Sequence, residues 1–212
     1  MNNLLYKEFR LTIGWFFYVF PILLGALMFI PQWLFFFVPL YFCFVTVPNL
    51  FGLVKAQNDV TYSVMLPVSK RNIVLSRIIS ISTLELLHIA CTAVFAIIRN
   101  TLYGVNNFFM DPNYSFIGLV FIMFGLFNII MFPIYYKTAY KYGLATVLST
   151  LAAVLFAAGV EFLVIFNKKV AVFLEADLGR QLLLLGGGII LFVALTAIAY
   201  KISEKRFEEV DV

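Results

Sequence analysis

Apolar runs long enough to cross a lipid bilayer alternate with short polar stretches along the whole chain. A hydrocarbon layer about 30 Å thick needs roughly 20 apolar residues in helical form. On that measure the chain predicts six spans, at 12–30, 33–54, 78–98, 116–134, 144–166 and 181–200. Residues 1–11 place Leu4, Leu5, Phe9 and Leu11 on one helical face, with Lys7, Glu8 and Arg10 turned away. That pattern predicts an amphipathic elbow helix lying in the membrane surface. Pro21 predicts a kink in the first span, and Pro39 and Pro48 predict bends in the second, where Asn49 is placed to bond freed backbone groups. Trp33 suits the aromatic belt at the join of these two spans. Between the third and fourth spans, Gly104, Asn106, Asn107, Asp111 and Pro112 are turn residues, and Phe108, Phe109 and Met110 are placed to dip into the interface. The small residues of 144–166 (Ala145, Ser149, Ala152, Ala153, Ala157, Ala158 and Gly159) allow close helix approach. They predict a span that is interior or faces another subunit. The sixth span carries Gly186, Gly187 and Gly188, and residues 201–212 form a charged tail.

One polar stretch, Lys55 to Arg77, breaks this rhythm. Asp59 to Leu66 predicts a short amphipathic helix, with Val60, Ser63 and Val64 on one side and Tyr62 and Met65 on another. Pro67 stops it, and Ser69 is a candidate N-cap for the next helix. Lys70 and Arg71 then fall in a first turn, where the helix dipole disfavours cations. Lipid headgroups, topology or an acidic partner surface account better for their position.

Composition fixes the solvent. The 212 residues are 63% hydrophobic and 12% charged, against about 45–50% and 25% in soluble domains, so lipid must cover most of the surface. No cleavable leader or separate soluble domain is read from the chain. With the N-terminus inside, the cytoplasmic segments hold 11 cations and the outer ones 4, counted over all 15 Lys and Arg. This bias predicts both termini in the cytoplasm, and it explains the net charge of +4 without nucleic acid. Cys43 and Cys91 sit in apolar runs and read as buried thiols, with no metal-ligand spacing anywhere. The phosphate-loop pattern is absent, so the chain is expected to bind no nucleotide or other cofactor itself and to have no catalytic residue.

Glu85 and His88 fall within the third span, three residues apart on one face. An ionisable group at that depth is costly, which leaves two readings open. They form a polar point in a substrate path, sensitive to protons through His88, or they tie one helix to its neighbour. Glu161, near the outer end of the fifth span, is expected to snorkel to water.

Across Asp59, Leu66, Pro67, Val68, Ser69, Lys70, Arg71, Ile73, Val74, Ser76 and Arg77, the chain resembles the permeases of ABC-2-type exporters. The elbow pattern and six spans agree in outline with that family. The resemblance implies a cytoplasmic coupling helix over Asp59–Leu66, with Asp59, Val60, Tyr62, Ser63, Met65, Leu66, Pro67, Ser69, Lys70 and Arg71 meeting a separate ATPase. ATP and Mg²⁺ would then be used by that partner, and two permeases, alike or sister subunits, would join two ATPases in the cell membrane. The acidic stretch before Leu66 holds only Asp59, and the loop 167–180 is short beside that of large members. Small size and aromatic content are similar to permeases that export amphipathic peptides, such as the phenol-soluble modulin exporters and bacteriocin-immunity transporters. Peptide or lipid-like cargo is expected. Two readings outside that class stand beside it: a scaffold or sensor subunit whose loop binds a soluble protein, and a proton-linked secondary transporter working through Glu85 and His88. The latter lacks visible repeated halves or paired broken helices.

Overall fold

The computed structural model describes residues 2–104, 107–138, 141–175 and 177–210. Met1 of the elbow, the turn residue Asn106 and the Asp211–Val212 end of the tail lie outside them. Every regular element among the described residues is helical. Five helices are long and apolar enough to cross a membrane, and a sixth span arises if one bent pair is counted together.

That bent pair is the N-terminal unit. Helix α1 (Asn2–Lys7) continues into a π turn over Glu8–Thr12, and helix α2 (Phe16–Gly25) continues into a 3₁₀ turn over Ala26–Phe29. The two halves meet at 65°. Ile13 is extended, so the break falls at residues 13–15, beside Gly14, and not at Pro21, through which α2 runs unbroken. The π turn after α1 also differs from the amphipathic pattern: Glu8 is only 1% exposed, whereas Leu11 is exposed. A carboxylate occupies the place expected for an apolar anchor.

The second crossing runs from Phe37 to Ala56 in three pieces, α3 (Phe37–Tyr41), a π turn over Phe42–Thr46, and α4 (Val47–Ala56). The π turn lies just before Pro48, and Asn49 Nδ2 donates to the Val45 carbonyl at 2.7 Å, as its position predicts. Asn58 takes the left-handed conformation (φ 49°), which an Asn tolerates better than most residues, and turns the chain into α5 (Asp59–Met65). Leu66 is extended, as a residue before proline should be. Ser69 then caps α6, its Oγ accepting from Asn72 N at 3.3 Å.

Helix α6 (Lys70–Tyr103) is one continuous rod of 34 residues ending at Gly104, where φ is +74°. It starts eight residues before the predicted third span, so Lys70 to Arg77 belong to this rod and not to a loop. Helices α7 (Tyr114–Thr138), α8 (Tyr142–Phe166), the short α9 (Lys168–Leu174) and α10 (Leu178–Glu208) complete the chain. Helix α10 absorbs the predicted tail as far as Glu208.

Helix α7 is the most buried of the long helices, with α8 and α10 flanking it. Of the two positions predicted for 144–166, interior or facing another subunit, the interior one is taken by α7. On α8 the small-residue stripe Ala145, Ser149, Ala153 and Ala157 is buried, together with Thr146 and Glu161, and Ser149 Oγ lies 3.7 Å from Met131 Sδ of α7. The α7–α10 contact is closer still. A Cβ at Gly188 would stand 2.2 Å from the Gly118 carbonyl oxygen, while Gly186 and Gly187 meet nothing within 4 Å. Without a hydrophobic force between helices in lipid, backbone approach of this kind supplies dispersion contact. Gly188→Ala is accordingly expected to lower stability by about 1–3 kcal/mol through overpacking, and Gly187→Ala to leave it unchanged. Thermal unfolding of both variants in detergent checks the contrast.

Candidate functional site

At the end of the bundle that carries α1 and α5, four charged side chains meet, Glu8 and Arg77 buried and Lys7 and Asp59 partly so. Lys7 Nζ lies 3.2 Å from Glu8 Oε1 and 2.7 Å from Asp59 Oδ1, and donates to Ser63 Oγ at 2.8 Å. Arg77 Nε lies 3.1 Å from Glu8 Oε2, and its Nη2 donates to Asp59 Oδ2. Glu8 and Arg77 are 1% and 3% exposed. Two cations and two carboxylates cancel, so the cluster is neutral and its charges are mutually paired, the condition under which buried ions are tolerated. The cluster joins α1, α5 and α6.

This arrangement divides the predicted coupling residues into two sets. Asp59, Val60 and Ser63 face inward. Tyr62, Met65 and Leu66 face outward, with Tyr62 64% and Met65 75% exposed. Pro67 is exposed in the link between α5 and α6. Lys70 and Arg71 turn away from α5. Lys70 Nζ donates to the Val210 carbonyl at 2.6 Å and lies 5.7 Å over the Phe207 ring, while Arg71 Nε is 3.2 Å from Glu204 and bonds Tyr200 Oη at 2.9 Å. Their unfavourable place in the first turn of α6 is offset by the C-terminal end of α10, whose dipole attracts cations. Arg206 Nη1 completes this corner by donating to the Pro133 carbonyl of α7 at 2.8 Å. Edge-to-face rings run from Phe51 through Tyr135 and Tyr136 to Phe207, linking α4, α7 and α10 beneath the charged cluster.

Deeper in the bundle, Glu85 and His88 do not bond each other. Glu85 Oε2 accepts from Asn128 Nδ2 at 2.9 Å, and the same amide donates to Thr196 Oγ1 at 3.1 Å. His88 Nδ1 donates to the Leu84 carbonyl at 2.9 Å, and its ring stands edge-on to Phe42, 4.9 Å between centroids. Glu85, His88 and Asn128 are all buried. Glu85 is thus tied to Asn128 of α7 and not to His88, and Asn128 in turn reaches Thr196 of α10.

The opposite end is held by another polar set. Arg99 lies 3.6 Å from Asp111, donates to the Gly104 carbonyl at 3.0 Å and stacks 4.8 Å over Phe35. Burial pushes the Asp111 carboxyl above its usual value, Arg99 opposes that, and Glu175 adds to it. Glu161 does not snorkel: it is buried and accepts from the backbone N–H of Met110 at 3.0 Å. Met110 is likewise buried, whereas Phe108 is exposed and its N–H donates to Gln32 Oε1. A groove of about 550 Å³ opens here between α6, α7 and α10, with Ala93, Ile97, Ile117 and Leu185 as walls and Asn100 and Gln181 among its polar residues.

The family model for ABC-2 family transporter proteins matches residues 3–208. No curated protein and no solved structure matches the chain. The chain belongs to the ABC-2 transporter family. It is a multi-pass membrane permease, the transport component of an ABC transporter and not its catalytic subunit. Such permeases typically work with an ATPase partner, and the plasma membrane is their usual location.

Removing one member of a buried charge cluster leaves the others uncompensated, at a cost of about 3–5 kcal/mol. Arg77→Leu is expected to destabilise the protein by that amount. The double replacement of Arg77 and Glu8 by apolar or amide residues, which keeps the Lys7–Asp59 pair, should recover much of it. Thermal melts of the two variants in one detergent test this.

Proposed function

We propose that this chain is the membrane subunit of an ATP-driven exporter and that α5 is the element its ATPase pushes. The observation that carries the reading is the division of α5 into two edges. Its inner edge is fastened through Asp59 and Ser63 to α1 and α6, and its outer edge presents Tyr62, Met65 and Leu66 to solvent. Exposed aromatic and methionine side chains on a short, braced helix suit a cleft on a soluble partner. Closure of two ATP-loaded ATPases would move α5, and the charged cluster would pass that displacement to the foot of α6. Two permeases and two ATPases make up the working unit, with the termini and α5 on the cytoplasmic side. ATP and Mg²⁺ act on the partner.

Amphipathic cargo, peptide or lipid-like, is the class this reading favours. The groove between α6, α7 and α10 pairs apolar walls with amide side chains, the combination that takes up a molecule with one oily and one polar side. Glu85 and His88 lie farther along α6 from that groove, in the core that must part if cargo crosses between these helices.

The test begins with the tagged protein purified from mild detergent together with whatever soluble chain accompanies it. A stoichiometric ATPase carrying a phosphate-binding loop is expected. Tyr62→Glu and Met65→Glu should each cost about 1–2 kcal/mol of docking, roughly tenfold in affinity, with an unchanged melting temperature. Full ATPase binding and stimulation in the double variant would sink the docking role of α5.

A further inference from the structure

Glu85 sits at the middle of α6, fully buried, and among the described residues no cation pairs with it. A lone carboxylate in such surroundings carries a heavy desolvation cost, and a buried carboxyl without a counter-ion escapes it by keeping its proton. The hydrogen-bond inventory of the node points the same way. Asn128 spends one amide N–H on Glu85 Oε2 at 2.9 Å and is within 3.1 Å of Thr196 Oγ1 for the other. That leaves two buried oxygens without a partner, Glu85 Oε1 and Asn128 Oδ1, both acceptors if Glu85 is ionised. They belong to the same two planar groups that already share one bond. A proton on Oε1, donated to Oδ1, closes a reciprocal carboxyl–carboxamide pair and satisfies every atom of both groups. Flipping the amide beside an ionised carboxylate does not achieve this, because it would set Oδ1 against Glu85 Oε2, acceptor against acceptor.

We propose that Glu85 is held as a neutral acid in a reciprocal pair with Asn128. This pair is a latch that joins α6 to α7 and, through Thr196, to α10. Its opening wets Glu85, which then gives its Oε1 proton to the entering water and becomes a carboxylate. Closure returns the proton from water to Oε1. The titratable groups around the latch are Cys43, from the π turn of the second crossing, and His88, one turn along α6. Helices α7 and α10 contribute Asn128 and Thr196, which do not ionise. The neutral pair stands on the geometry alone, whereas its opening in transport rests on the exporter reading.

Infrared spectroscopy of the full-length protein in lipid at neutral pH tests the latch directly. The difference between wild type and Glu85→Gln should contain a protonated-carboxyl C=O band that moves to lower frequency in D₂O. In Asn128→Leu, which keeps Glu85, that band should move to higher frequency as its carbonyl loses the amide donor. The second variant also serves if Glu85→Gln does not fold. Carboxylate bands alone in the difference spectrum would overturn the neutral pair, and carboxylate bands that shift with added sodium would overturn it in favour of a bound cation. No cargo or ATPase is needed, so this outcome is independent of the exporter reading. In the complex with its ATPase held in the ATP-bound state, the acid band should fall. An acid band that persists unchanged there would overturn the opening step while leaving the pair in place.

Discussion

The neutral cluster of Lys7, Glu8, Asp59 and Arg77 constrains more of this molecule than any other contact. Each member is tolerable away from water only while the others are present. Helices α1 and α5 are short and could not hold a fixed orientation on the bundle by their own hydrogen bonds. The cluster fixes both against the foot of α6, and α6 is one rod from Lys70 to Tyr103. A displacement of α5 therefore cannot be absorbed locally without separating buried charges. This charged connection runs from the short helix α5 to the longest helix in the chain.

Lipid as solvent explains why the remaining ties take the same form. Between apolar helices in a bilayer, specificity comes from close backbone contact and a few polar bonds. Gly118 and Gly188 supply the first between α7 and α10. The second are spread over three levels: Lys70, Arg71 and Arg206 where α10 meets α6 and α7, Glu85 with Asn128 and Thr196 at the middle, and Arg99, Asp111 and Glu161 at the far end. Helix α7 takes part at each level or packs directly beneath it. Its interior position follows from the number of polar and glycine contacts it must satisfy, not from its hydropathy, which resembles that of its neighbours.

How much of this was legible in the chain depends on the range of the interaction. The helices, the Ser69 cap, the extended Leu66, the Asn49 bond to Val45 and the exposed edge of α5 are set by neighbours a few residues away, and local pattern reaches them. The family followed from the stretch around Leu66 to Arg77. Glu8 was misplaced because an amphipathic pattern assigns every charge to the wet face. Its partners stand far along the chain at Asp59 and Arg77, so nothing within the first twelve residues marks it as buried. Lys70 and Arg71 erred in the same way: their position at a helix N-terminus registered as unfavourable, but the compensating end of α10 lies well over a hundred residues away. Glu161 was expected in water because the loop whose Met110 N–H it accepts has no signature in the fifth span. The one usable signal was charge balance, since an acid in each of two short segments and an arginine at the foot of a span invite pairing.

The same reasoning separates the two polar sites by what they can do. The cluster at the foot of α6 holds full charges whose mutual attraction is strong at short range and lost if any one leaves, so it suits an element that moves as a unit. Among the described residues the node at Glu85 has no counter-ion, and its bonds join three different helices through side chains short enough to part without dragging backbone. A neutral bond of this kind contributes about 1 kcal/mol net, far less than breaking a buried ion cluster costs. If the bundle must open anywhere along α6, the weaker fastening yields first. The charged foot then acts as the lever and the amide-paired core as the seam.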